Sequence, residues 1–465
     1  MKGLIIRGTQ RLGRLLVAPV VVGVVVGATA LAPPAQAAFT FTVDSFDDRR
    51  DINPSDNICR TSAGNCSLRA AVQQANASAG ADTIRLTPGN YRLGYAGGVR
   101  QSAATVDPAD NFRDLDITSS VTIIGDGSVI DGGRFNSVFE IDNAATVHLS
   151  DLTVTNGGED ENPPFIRGGG LNIWRDSMVR LTRVTVRDNV TTMQGSGIAN
   201  AGVLTLVDSR VEDNRNLSPL GGGGVTANGG GIFNYSTGLV NIDRSTISNN
   251  FSLRGGGINN DYGRVTITNS TISGNTARNS GGGILNRGDG TATKGILNVA
   301  FSTIVGNQAN VSGADPEKVG GGIANFGGQV NMGGTILAGN EDNRSHFDAA
   351  FAPDCHSPDT SRFTSHRYNV VGLINGRCAF EQRFDKVGWD GAAPLNPRVG
   401  ALGFNGGGTA TRMPLAGSPA VDFGSSVTSS ELFDCPATDQ RGVSRPRDGD
   451  ANGTALCDSG AVEIG

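Results

Sequence analysis

The sequence predicts an all-β solenoid of stacked parallel coils, and three observations carry that expectation. The first is an internal repeat across residues 147–340. Gly229-Gly230-Gly231-Ile232-Phe233-Asn234 leads to Val240-Asn241-Ile242 and then to Thr246-Ile247-Ser248-Asn249-Asn250; the same order returns from Gly255, Gly281 and Gly320. A repeat of this kind decides architecture before any other signal. The second is period two: Val240 and Ile242, Val265 and Ile267, or Val179 and Leu181 put apolar side chains on one face of short strands. The third is composition, with 68 glycines and only 6% aromatic residues. That is roughly twice the usual share of glycine, and it lacks a collagen period, so it marks tight turns. No helix-length segment separates the strands. Neighbouring coils must therefore pair in parallel, roughly 4.8 Å apart, and about eight coils make a rod on the order of 40 Å.

Taken in order, residues 1–37 read as an export signal. Lys2, Arg7, Arg11 and Arg14 precede an apolar run at 17–31, and Ala35-Gln36-Ala37 fits a small-x-small cleavage rule. No stable membrane span is expected after cleavage. Residues 38–116 read as an N-terminal cap with first strands. Residues 39–44 alternate like a strand, and Ser67 caps a helix with Leu68, Ala71, Val72 and Ala75 on one face. Strands follow at 82–86 and 91–93, then a polar excursion at 100–116. An open parallel coil exposes unpaired backbone and core at its end, which is the reason to expect a cap there.

The regular coil is expected over 117–345, opening at Val121. Its closing marks are Asn189, Asn214, Asn250, Asn275, Asn307 and Asn340, in unequal steps. The extra length leaves from fixed corners, chiefly at 157–167, 215–228 and 308–319, with a second corner at 288–294. Asn tolerates left-handed backbone and its amide can bond the Asn of the next coil, so two stacked Asn ladders are expected at two corners. The glycine triplets allow close backbone passage. A phosphate-cradling loop would need a helix after the glycines, and none follows. Residues 346–465 read as irregular turns and a disulfide-clipped cap.

Six cysteines fall outside the signal segment. Sequence alone permits 15 pairings. Proximity favours Cys59–Cys66, Cys355–Cys378 and Cys435–Cys457; no CxxC or paired His supports a metal alternative. The formal net charge of -6, with no basic block, gives no reason to propose nucleic acid. A monomer is expected.

Cys66-Ser67-Leu68-Arg69-Ala70 resembles the CSLREA domain, with Ala70 where the family name has Glu. The GGGI-x-N and TISGN repeats resemble the polymorphic-outer-membrane-protein type of right-handed parallel β-helix, in the pectin-lyase-like superfamily. The GSPAVD, TDQRG and CDSGAVE segments of the tail are similar to those of secreted bacterial proteins with a variable choice of anchor. The resemblance implies an exported surface or secreted right-handed parallel β-helix with a short N-terminal helix cap. It brings no common catalytic signature.

Chemistry on such a coil belongs to its outward positions. One column is Trp174, Ala201, Tyr235, Asp261, Arg287 and Phe326; its neighbour is Asn172, Ala199, Phe233, Asn259, Leu285 and Ala324. Neither places acids on two successive coils. Asp261 beside Arg287 is the nearest approach to a catalytic pair, and a plain salt bridge accounts for it equally well. Trp174, Phe233, Tyr235 and Phe326 are expected as exposed rings suited to stacking on sugars or to protein contact, unless excursions cover them. A further column, Asp151, Arg183, Asp208, Arg244 and Asn269, alternates in sign and reads as a ladder of weak surface ion pairs. Asp448-x-Asp450-x-Asn452-Gly453 opens like a calcium loop, although Ser459 stands where an EF-hand has its bidentate Glu. Calcium is the one cofactor considered. His346, His356 and His366, with Asp348 and Asp354, form a region to watch; the fourth histidine, His148, shows no metal spacing either. The reading is an exported, non-enzymatic scaffold binding a polysaccharide or surface protein. The alternatives are a polysaccharide lyase or hydrolase, and a purely structural envelope protein.

Overall fold

Parallel coils stack only if every corner satisfies its buried backbone groups, and in this chain Asn side chains do that at two corners. The structure is a computed structural model. It describes residues 38–96, 99–100, 114–158, 167–217, 228–291, 293–309, 319–343, 353–374, 377–381, 383–388, 393–426, 428–429 and 431–465. The signal segment, most of the three long excursions, His346 and Asp348 lie outside these residues. Residues 37–465 form one unit. The fold is a parallel β-helix, wound right-handed as parallel crossovers are.

One coil shows the plan. Ile232–Asn234 belongs to a nine-stranded second sheet, Leu239–Asp243 and Thr246–Ser248 to a large sheet with two arms, and Phe251–Ser252 to a six-stranded third sheet. Each strand pairs in parallel with its counterpart one coil on, for example Val240 with Val265 and Ile247 with Ile272. Ile232, Val240, Ile242 and Ile247 point inward and are fully buried in one continuous core.

The closing Asn residues form an unbroken buried ladder. The Nδ2 of Asn189, Asn214, Asn250, Asn275 and Asn307 each donates to the Oδ1 of the next at 2.9–3.0 Å. That same Oδ1 also accepts the backbone N–H of the earlier Asn, at 3.0–3.1 Å. A second ladder runs Asn200, Asn234, Asn260, Asn286, Asn325 and ends on Ser357. A third, of hydroxyls, was not anticipated. Ser209, Ser245, Ser270, Ser302 and Thr335 each accept the backbone N–H of the matching residue one coil before. The residue preceding each serine is left-handed: φ is 50° at Asp208, 45° at Arg244, 46° at Asn269 and 44° at Phe301. The triplet glycines are needed for close approach. A Cβ on Gly256 would stand 2.5 Å from the Gly282 carbonyl oxygen.

The stack begins earlier than Val121. Thr40–Val43 pairs with Asp82–Leu86, which pairs with Val121–Asp131. Leu115–Ile117, inside the expected polar excursion, opens the second sheet instead. Helix α1 (Leu68–Ala77) packs on these first strands. Ser67 caps it, accepting the Ala70 N–H at 3.1 Å. Arg69 is buried; it binds Asp48 through Nε and Nη2 and donates from Nη1 to the Asp114 carbonyl at 2.7 Å. The CSLRA segment thus fastens helix to coil.

The stack also continues past 345. Cys355–His356 joins the second sheet, and Phe363–Ser365, Val370–Val371 and Lys386–Val387 extend the large one. The disulfide Cys355–Cys378 is therefore buried in the last coils; Cys59–Cys66 and Cys435–Cys457 are also joined. Much of the remaining chain returns along the flank. Gln440 Nε2 donates to Thr246 Oγ1 at 3.1 Å, Thr271 Oγ1 donates to Gln440 Oε1 at 2.6 Å, and the Ala461 N–H donates to Thr303 Oγ1 at 3.0 Å.

Asn275→Ala strands two donors of Asn250 and takes the amide donor from the Ile247 and Ser273 carbonyls and from Asn307 Oδ1, a cost of about 3 kcal/mol or more. The chemical denaturation midpoint should fall accordingly, while Asn298→Ala on the half-buried outer face should shift it by under about 1 kcal/mol. The first ladder ends on Asp354, whose Oδ1 takes both Asn340 donors and whose Oδ2 takes the Leu373 N–H. Burial pushes this carboxyl from 3.8 up to about 7 against the pull of those donors. The folded chain then holds the proton more tightly than the unfolded one. Its contribution is full below about pH 4 and is lost as pH rises through about 7. Thermal melting should show Tm falling from about pH 5 to about pH 8, and Asp354→Asn should flatten that fall whatever its effect on Tm itself.

Candidate functional site

Strand alternation on the second sheet turns every middle residue outward. The register stacks Asp116, Glu140, Asn172, Ala199, Phe233, Asn259, Leu285, Ala324 and His356 in one column. The first two were not recognised as members. Leu115-Asp116-Ile117 and Phe139-Glu140-Ile141 carry the same apolar-x-apolar pattern as Leu171-Asn172-Ile173, and extending the column toward the N-terminus finds them.

At that end three carboxylates converge. Asp114, Asp116 and Glu140 each place an oxygen within 4.8 Å of the others. Asp114 is fully buried; Asn136 donates to its Oδ2 at 2.9 Å, and its Oδ1 has no partner. Burial, and then the charges of Asp116 and Glu140, push the Asp114 carboxyl up to about 8. Trp174 stands beside the cluster, its indole N–H donating to Glu140 Oε1 at 2.7 Å with 39% of the residue exposed. The nearby Arg69 is committed to Asp48 and to a backbone carbonyl.

The other expected site residues divide. Phe233 is buried, and Tyr235 packs edge-on against it with centroids 4.6 Å apart. Tyr235 is half-buried beneath Arg167, its hydroxyl is unpartnered, and burial raises its pKa. Asn259, Leu285 and Ala324 are also buried, and both amide atoms of Asn259 lack partners. Phe326 is half-buried against His356, with centroids 5.9 Å apart. Asp261 and Arg287 sit opposite each other in register and form a surface ion pair at 2.9 Å; the guanidinium also lies 5.6 Å from the Tyr262 ring centroid. The alternating column holds Arg183 on Asp151 at 2.6 Å and Arg244 on Asp208 at 2.9 Å.

In the tail, Asp448 and Asp450 converge with Asp422. The Asn452 Oδ1 is taken by the Thr454 N–H, and its Nδ2 donates to Asp450. The described members of the watched region each have their own neighbours. His366 stacks on Phe433 with centroids 3.9 Å apart, His356 lies against Phe326, and Asp354 ends a ladder. No helix among the described residues is long and apolar enough to cross a membrane.

Comparison with protein-family models and with curated proteins gives no match. Among solved structures the chain is similar to the crystal structure of pectate lyase Pel9A, at 14% identity and a TM-score of 0.48, over 93% of this chain and 98% of that one.

An exposed ion pair is worth little, so Arg287→Ala should lower stability by under about 1 kcal/mol in a denaturation curve. A larger loss would give the pair a role beyond surface pairing.

Proposed function

We propose that the protein is an exported, non-enzymatic, adhesin-like β-helix that binds a surface or extracellular glycan on the outer face of its second sheet. Trp174 carries the reading. Its ring is exposed yet held in place by Glu140, with carboxylate oxygens beside it to accept sugar hydroxyls. A rigid aromatic face next to polar groups suits stacking on a sugar ring. The signal-like segment at 1–37 and the three disulfides support export.

A lyase needs a free base. The cation near the acids, Arg69, is buried and engaged, and Arg287 is paired.

A glycan array with the purified protein, run beside a degradation assay on pectin and uronic-acid polymers, tests this. Binding should be saturable and fall at least about tenfold in Trp174→Ala, the effect of losing one stacking ring. Release of reducing ends or unsaturated products overturns the non-enzymatic reading. Binding to proteins alone overturns the glycan.

A further inference from the structure

We infer that Asp114, Asp116 and Glu140 form a binding site for one hard divalent cation, of the calcium class, at the N-terminal end of the outward column. The inference does not depend on a glycan occupying Trp174.

Geometry and charge compensation both point there. Two oxygens each about 2.4 Å from one calcium ion are at most about 4.8 Å apart, and the three carboxylates meet that limit mutually. Asp116 and Glu140 are directly opposed on paired strands, where like charges destabilise a sheet. Asn136 occupies one Asp114 oxygen, and Trp174 occupies one Glu140 oxygen. The buried Asp114 Oδ1 is left without a partner. An unpartnered buried carboxylate oxygen is costly, and a cation shared with its two neighbours removes that cost. The alternative compensation is a shared proton, in keeping with the raised Asp114 pKa. An all-oxygen, all-carboxylate set selects calcium, magnesium or manganese over thiophilic metals.

Placement suggests a purpose. Asp114 follows the Arg69 anchor of the helix, and Glu140 holds the Trp174 ring. A cation there ties the first coils together and stiffens the ring above them.

The chain has two tryptophans, so Trp389→Phe leaves Trp174 as the sole reporter, one hydrogen bond from the site. Titration of this variant with calcium chloride should give a one-site heat and a saturable change in emission, with a Kd of about 0.1–1 mM, the range of extracellular modules. Adding Asp116→Asn or Glu140→Gln should weaken both signals at least about tenfold, the lower bound for disturbing even an indirect metal partner. Two substitutions are named so that one carries the test if the other fails to fold by circular dichroism. Asp448→Asn, in the acidic loop of the tail, should leave the emission change intact. Three results overturn the site: no saturable signal up to about 10 mM calcium, magnesium or manganese; unchanged affinity in the folded acid variants; or an emission change lost only in Asp448→Asn. The first of these, seen with glycan binding intact, leaves the Trp174 reading standing.

Discussion

The structure depends on the hydrogen-bonded corner. Each coil must reverse the chain several times inside a stack whose neighbours sit one strand spacing away, and no water reaches the buried corner groups. A side-chain amide that accepts two N–H groups from the coil before, and donates to the coil after, meets the need with one residue type. The corner Asn repeats because the geometry repeats. The serine ladder does the same beside the left-handed residue at the bend of the large sheet, where Arg244 and Phe301 adopt a conformation usually left to glycine or Asn. Cooperative networks of this kind are costly to break singly. A solenoid couples each coil mainly to its neighbours, so damage at one rung should spread no further than the adjoining rungs.

A second consequence concerns what the repeat leaves free. Thr246, Thr271 and Thr303 look like construction, since they recur in register on three successive coils. They are instead the docking row for the returning tail, which buries them. The flank of the large sheet is therefore spent on the chain itself. Phe301 helps to hold this arrangement: Arg445 lies over its ring, and a Cβ on Gly334 would come 2.7 Å from it. The outer face of the second sheet remains, and toward the middle and far coils it too is largely closed, with Phe233, Asn259, Leu285 and Ala324 buried. Exposure combined with polar neighbours survives at the N-terminal end, around Trp174.

Much of this was legible in the sequence, and for physical reasons. Strand register follows from period two, so the columns from Trp174 to Phe326 and from Asn172 to Ala324 could be aligned without coordinates. The Asn ladders followed from what Asn tolerates. The failures have causes as definite. Leu115–Ile117 and Phe139–Ile141 lack the GGGI-x-N corner, so a search keyed to the corner left Asp116 and Glu140 out of the outward column. Burial of Phe233 is a tertiary matter: an outward position is exposed only if nothing packs over it, and Tyr235 two residues on does so. The return of the tail could not be read, because Gln440 and Ala461 bond to residues more than 150 positions away with no periodicity to signal it.

Stacking in register forces charge to be managed column by column. Where this chain places ions on adjacent coils it mostly opposes their signs: Asp151 with Arg183, Asp208 with Arg244, Asp261 with Arg287. Among the paired positions of the second sheet, Asp116 and Glu140 are the exception, and Asp114 adds a third acid rather than a base. Arg69 lies nearby; its guanidinium binds Asp48 and the Asp114 carbonyl, and its charge opposes the rise of the Asp114 carboxyl's pKa. At Asp116 and Glu140 the like charges coincide with the exposed ring of Trp174, whose indole N–H is held by Glu140.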